Sequence, residues 1–178
     1  STAMIYVMHT AAAQAIASAP TLAGREALLR ELASGEHLTT LAFSEKGSRS
    51  QFWAPVSQMQ ATASGYRTSA EKSWVTSAAN AKSYVSSAQK PGAASPMEST
   101  VYLVRRDAAG VARSGGFNGL GLRGNDSAPV TLTDVAVAEG DLISALGDGA
   151  TTMLTVVLPW FSVGTAAMSN GLARAAVN

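Results

Sequence analysis

Short runs of alternating apolar and polar residues occupy the middle of this chain. Residues 38–43 (LTTLAF), 56–64 (VSQMQATAS), 73–78 (SWVTSA), 81–89 (AKSYVSSAQ), 100–106 (TVYLVRR) and 130–139 (VTLTDVAVAE) each read as a strand, bounded by Gly, Pro, Ser or Asn. In the last run Val130 and Leu132 share one face while Val135 and Val137 fall on the other, so the strand must bend or bulge near Thr133 and Asp134. Such bends suit a barrel or two packed sheets better than a flat open sheet. Residues 25–36 (REALLRELASGE) carry a helical period that stops near Gly35, and residues 89–98 (QKPGAASPME) read as an irregular loop. The predicted fold class is α+β. A central antiparallel β-barrel or pair of packed sheets spans 37–148, flanked by a helical segment at 1–36 and an apolar helix at 149–178.

Within this pattern residues 71–78, EKSWVTSA, place a tryptophan among small and polar residues. In an extended strand residues i and i+2 point to the same face, so Trp74 and Thr76 are expected to present a flat ring beside a hydroxyl. The competing reading is a core tryptophan with a surface threonine.

Both ends of the chain are poor in charge. The first 24 residues contain no Lys, Arg, Asp or Glu, and neither does the stretch 149–173. A secretory signal needs a basic leading region, whereas the first cation here is Arg25. The C-terminal stretch is long enough to span a bilayer, yet Thr, Ser, Asn, Gly and Pro159 are scattered through it. A helix buried in a bundle is the expectation, with no membrane span. Helices this apolar need partner surface: each other, a second subunit, or parts of a longer protein.

Composition removes several function classes. With 13 basic and 12 acidic side chains the net charge is +1, which leaves no electrostatic footprint for nucleic acid. There is no Cys, which fits a reducing, cytoplasmic setting and excludes disulfides and thiolate metal sites. The two histidines, His9 and His37, lie far apart without a carboxylate at ligand spacing, so neither a metal site nor a Ser/His/Asp triad is expected. Residues 119–124, GLGLRG, match G-x-G-x-x-G literally, but Pro129 and a β-like run follow where the phosphate-binding helix would begin. A glycine-rich crossover between strands is the better reading.

Four segments in order, FSEKGSRS (43–50), KSWVTS (72–77), LGLRGND (120–126) and VTLTDVAV (130–137), resemble the acyl-CoA dehydrogenase family. That family carries a T-E-P-G-A-G-S type loop, then K-x-W-I-T-N, then L-G-x-R-G-S, then a strand V-x-F-x-D-V-x-V. The resemblance covers essentially the whole chain. It implies that 1–36 correspond to the last helices of the family's N-terminal domain, 37–148 to its central flavin-binding β-domain, and 149–178 to the first helix of its C-terminal bundle.

The resemblance further implies FAD as cofactor, with Trp74 and Thr76 as one flavin-contacting face. It adds Phe43 and Ser44 as flavin contacts and Ser50 near the flavin phosphates and the acyl-CoA pantetheine. The departures are Lys46 for Pro, Ser48 for Ala and Arg49 for Gly; either cation is a phosphate partner or a solvated loop charge. In the family a carboxylate removes the proton α to the thioester while a hydride leaves the β carbon for the flavin. No Asp or Glu follows Asp148, so no catalytic residue is assigned. The expectation is a flavin-binding piece of a longer oxidoreductase, weak in FAD and unable to complete dehydrogenation alone. The implied partners are an acyl-CoA thioester, an electron-acceptor flavoprotein and further copies of the chain in a homo-oligomer. A flavin monooxygenase of the same fold and a structural module that has lost FAD remain as alternatives.

Overall fold

A computed structural model describes residues 1–49 and 51–177. Two helices open the chain, α1 (Thr2–Ser18) and α2 (Arg25–Ser34). Among the described residues seven strands follow: β1 (Thr39–Ala42), β2 (Gln60–Thr62), β3 (Gly65–Val75), β4 (Ser83–Gln89), β5 (Ser99–Arg105), β6 (Val111–Arg113) and β7 (Ala128–Val137). A C-terminal helix runs over Gly149–Val177. As expected, α2 ends at Gly35, whose φ of 81° lets its N–H return to the Leu32 carbonyl.

The strands form two sheets, ordered β1-β4-β5 and β2-β3-β7-β6. Their inner faces share one core, in which Val75, Val130, Leu132 and Val135 of the second sheet meet Tyr84, Tyr102 and Val104 of the first. The first sheet is also covered behind. There Ala11, Ala12, Ala15 and Ile16 of α1 pack with Leu41, Val85 and Val101, and Met153 and Val157 of the C-terminal helix join them. Burial on both faces explains why β1 and β5 lack a clean polar/apolar alternation. The three alanines let the α1 backbone approach the sheet closely.

Two expectations about the sheets change. Neither sheet closes on itself, so the β-region is two packed sheets and not a barrel; the seam between them carries only isolated bridges, Glu45 to Lys72 and Gln58 to Gln89. Nor is pairing antiparallel throughout, because β1 and β4 run parallel from Thr39↔Ser83 to Ala42↔Ser86. Two sequence runs are also shorter as strands than the pattern predicts: 56–64 contributes only Gln60–Thr62, and β3 stops at Val75 instead of continuing to Ala78.

The predicted bulge in β7 is present. Thr68 pairs with Val135 and Ala70 with Leu132, so Thr133 and Asp134 face Ser69 alone, and Asp134 takes a φ of 51°. The Ser69 hydroxyl accepts the Asp134 N–H at 2.9 Å, and Arg67 donates to the Asp134 carboxylate at 2.8 Å.

The C-terminal helix is not the buried helix that its composition suggests. Gly149, Ala150, Met153 and Val157 are buried, but no residue of Leu158–Val177 is. The helix passes Pro159 without interruption, directly after a π-helical turn at Met153–Val157; the wider turn fits a residue with no N–H to donate. By length, and by a mean hydropathy of 1.3 over an 18-residue window, this helix has the dimensions of a membrane span. Gly164 sits where a β-carbon would meet Val7, so its lack of a side chain sets the approach of this helix to α1.

Candidate functional site

Beyond β1 the chain does not turn away from β3 but runs alongside it. The Ser73 N–H donates to the Ser44 carbonyl at 2.8 Å and the Lys46 N–H to the Glu71 carbonyl at 3.2 Å. The described part of the first segment singled out in the sequence, 43–49, is thereby laid beside the second, 72–77. They form one wall of a solvent-open cleft of about 130 Å³, lined by Phe43, Ser44, Phe52, Ser73 and Trp74 together with Phe161 of the C-terminal helix. Phe43 and Phe52 stack at 6.3 Å between centroids. The cleft is mainly apolar, with Ser44 and Ser73 as its polar lining residues.

Trp74 reaches this cleft by an unexpected route. Lys72 pairs with Val130 and Val75 with Ala128, so Ser73 and Trp74 together oppose Pro129. Pro129 has no N–H, so the bulge costs the ladder no donor there, and the Ser73 N–H turns to Ser44 instead. Trp74 adopts a φ of 56°, and its ring swings outward to 64% exposure. It stacks on Phe117 at 4.1 Å with an interplanar angle of 26°.

Thr76 does not share that face. It lies past the end of β3 at 4% exposure, with its hydroxyl 3.5 Å from the Ser127 hydroxyl, and it does not line the cleft. The i, i+2 rule presumes extended backbone, and the left-handed turn at Trp74 breaks it. The core-tryptophan alternative fails equally, since the indole is exposed. Of the other expected flavin contacts, Phe43 and Ser44 line the cleft with Trp74, whereas Ser50 lies outside the described residues.

The substituted loop resolves in part. The Ser48 hydroxyl is buried and donates to the Glu45 carbonyl at 2.9 Å. Lys46 is an exposed partner of Glu71 at 3.4 Å, the solvated reading of that charge. Arg49 takes a φ of 52°, which accounts for Gly at this place in the resemblance. Segment 119–124 forms no helix beyond a short 3-10 turn at Arg123–Asn125, so the dinucleotide reading is refused by the structure too.

One buried ion pair beside the cleft wall escaped the sequence reading. Lys72 donates to Glu45 Oε1 at 2.6 Å and to the Ser87 carbonyl at 2.6 Å. Glu45 Oε2 accepts the Val56 and Ser57 N–H groups, both at 2.7 Å, and Oε1 the Ser57 hydroxyl at 2.6 Å. Burial alone would raise the Glu45 pKa, but the Lys72 charge and these hydrogen bonds outweigh it and hold the carboxyl below its ordinary range. Burial lowers the Lys72 pKa against the pull of Glu45. The signal was available: Thr68, Ala70 and Lys72 follow the inward period of β3.

The cleft's residues suit a planar, mainly apolar ring system with a polar edge: aromatic residues line it together with Ser44 and Ser73. This is the character of an isoalloxazine, and Trp74, Phe43 and Ser44 are the groups that would hold it. Among the described lining residues none carries a carboxylate or imidazole, so nothing in the cleft accepts a proton.

No protein-family profile matches the chain. Among curated proteins it is 25% identical over 135 residues to the mitochondrial isovaleryl-CoA dehydrogenase of Arabidopsis thaliana, covering 76% of this chain and 33% of that protein. It is 31% identical over 131 residues to the amino sugar nitrososynthase RubN8 of Streptomyces rubradiris, covering 74% and 30%. Among solved structures, butyryl-CoA dehydrogenase from Megasphaera elsdenii superimposes with a TM-score of 0.90 at 19% identity, over 97% of this chain and 45% of that one, a likeness of fold. The chain spans about a third of the length of the curated relatives it matches, and it belongs to the acyl-CoA dehydrogenase family.

Proposed function

We propose that this chain supplies the flavin-contacting β-region of an acyl-CoA dehydrogenase-like oxidoreductase acting on the α,β carbons of acyl-CoA thioesters. The observation that carries the reading is Trp74, an exposed indole at the lip of an apolar cleft shared with Phe43 and Ser44. FAD bound there supplies the hydride-accepting ring. The chain's own share is to seat that ring on the indole, exclude water from it with Phe43, Phe52 and Phe161, and meet its polar edge with Ser44 and Ser73. The proton acceptor for dehydrogenation is not among the groups lining the cleft, so the complete reaction draws on a carboxylate from elsewhere in the working assembly. An electron-acceptor flavoprotein and assembly into a homo-oligomer belong to the same proposal.

Flavin titration of the purified chain tests it. Quenching of tryptophan fluorescence by FAD, lost in Trp74→Ala, is the expected result; a colourless chain that stays so with FAD leaves a structural module instead. With acyl-CoA and an artificial acceptor the chain alone is expected to show no turnover, and substantial turnover overturns the assignment of the base to another segment. A second reading, flavin-dependent oxygenation, is favoured by the 31% identity to a nitrososynthase. Reduction of bound flavin by a reductase but not by acyl-CoA selects it.

A further inference from the structure

Phe117 belongs to none of the segments that carry the family resemblance, yet it makes the closest aromatic contact at the cleft. We infer that Phe117 is a positioning residue, a backstop that holds the Trp74 indole in the orientation needed to stack a planar ligand from the cleft side; the ligand half of this inference rests on the flavin reading above.

The geometry separates the two sides of the indole. Trp74 lines the apolar cleft with Phe43 and Ser44, and it also lines a second recess made by the 116–127 segment. Phe117 lines only the second. The phenyl ring is therefore not in the space a cleft ligand would take, but behind the indole.

The need for a backstop follows from the bulge. With a φ of 56° Trp74 leaves the extended geometry that aligns side chains along a strand, and the ring it stacks on is Phe117. At 64% exposure it would sample several rotamers, and a ligand would have to fix one of them on binding. Phe117 comes from outside the strand to fill that role, and its own placement is fixed. Its N–H donates to the Ser127 carbonyl at 3.2 Å, and the Ser114 N–H donates to the Pro129 carbonyl at 3.0 Å. Both acceptors lie at the start of β7, opposite the bulge that carries Trp74. A single stretch of backbone, Ser127 to Pro129, thus registers the backstop and faces the bulge, while the Ser127 hydroxyl lies 3.5 Å from that of Thr76.

The test uses the full chain with Trp53 and Trp160 replaced by Phe, so that Trp74 alone reports. Time-resolved fluorescence anisotropy is measured without ligand, and FAD affinity by titration, for the parent, Phe117→Ala and Phe117→Tyr. Faster indole motion in F117A, FAD affinity weaker by roughly threefold to tenfold, as an aromatic pair implies, and recovery of both in F117Y would support the inference. Unchanged indole motion in F117A overturns it even if FAD binds. So does freed motion with unchanged affinity, since the ring then needs no positioning. Absence of FAD binding by the parent chain defeats the functional reading and the ligand half with it, while the anisotropy comparison still decides whether Phe117 restrains the indole.

Discussion

Lys72 Nζ lies 2.6 Å from Glu45 Oε1, and both side chains are withdrawn from water. The pair ties the segment after β1 to the end of β3, the two walls from which the cleft is built. Lys72→Met would leave a buried carboxylate without its counter-charge, and is expected to cost ~3–5 kcal/mol by urea denaturation. The double variant K72M/E45Q should cost clearly less, since no charge is left stranded. Equal losses would show that the pair is not ionised.

The same pair shapes the acid limb. The Glu45 pKa is depressed on folding, so its contribution is complete above the unfolded value of about 4.3 and fades as pH falls through the folded one. Thermal melts from pH 6 to pH 3 should fall more steeply for the parent chain than for E45Q.

His37 adds a second window nearer neutrality. It is buried between Ser83, 2.8 Å from Nε2, and Glu31, 3.2 Å from Nδ1. Burial lowers its pKa, Glu31 opposes, and Arg105 and Lys82 lower it further. The folded chain therefore resists a proton that the unfolded chain accepts below about pH 6.5, and stability declines as pH falls through that value. The melting temperature of His37→Gln should be flatter than the parent's between pH 7.5 and pH 5.5; parallel curves would remove His37 as the cause.

Gly110 closes the turn between β5 and β6 at a φ of 87°, and a β-carbon there would collide with the Thr133 carbonyl oxygen. Its own carbonyl accepts the Thr133 N–H at 2.9 Å. Gly110→Ala must displace the β7 bulge as well as strain the turn, so a loss of about 3 kcal/mol or more is expected. Gly92, also at positive φ but with open space around it, is the control and should lose about 1 kcal/mol.

Val163 at 71% and Leu172 at 64% exposure lie on the part of the C-terminal helix that this chain leaves uncovered. Sedimentation should show concentration-dependent association that V163K/L172K reduces. A parent chain that remains monomeric across the range would count against the homo-oligomer.

The two bulges show what was legible in the sequence. At Thr133 and Asp134 the apolar phase visibly switches from Val130 and Leu132 to Val135 and Val137, and the bulge could be placed before any coordinates. At Ser73 and Trp74 the neighbours are small and polar, so no phase marker exists, and the i, i+2 argument failed for Thr76. Long-range partners were hidden in the same way. Glu45 and Lys72 carried no assignment, because their pairing depends on a contact between distant segments, and the apolar C-terminal helix read as buried because composition cannot say whether a partner is at hand.

The parallel pairing of β1 with β4 has a consequence for folding speed. Those two strands cannot zip through a tight turn; the chain must first complete the excursion from Phe43 to Lys82, which includes β2, β3 and the cleft residues Phe43, Ser44, Phe52, Ser73 and Trp74. Contacts of such long sequence separation form late. Refolding should therefore be slow compared with a helical chain of this size, and the recess around Trp74 should be among the last parts of the molecule to take shape.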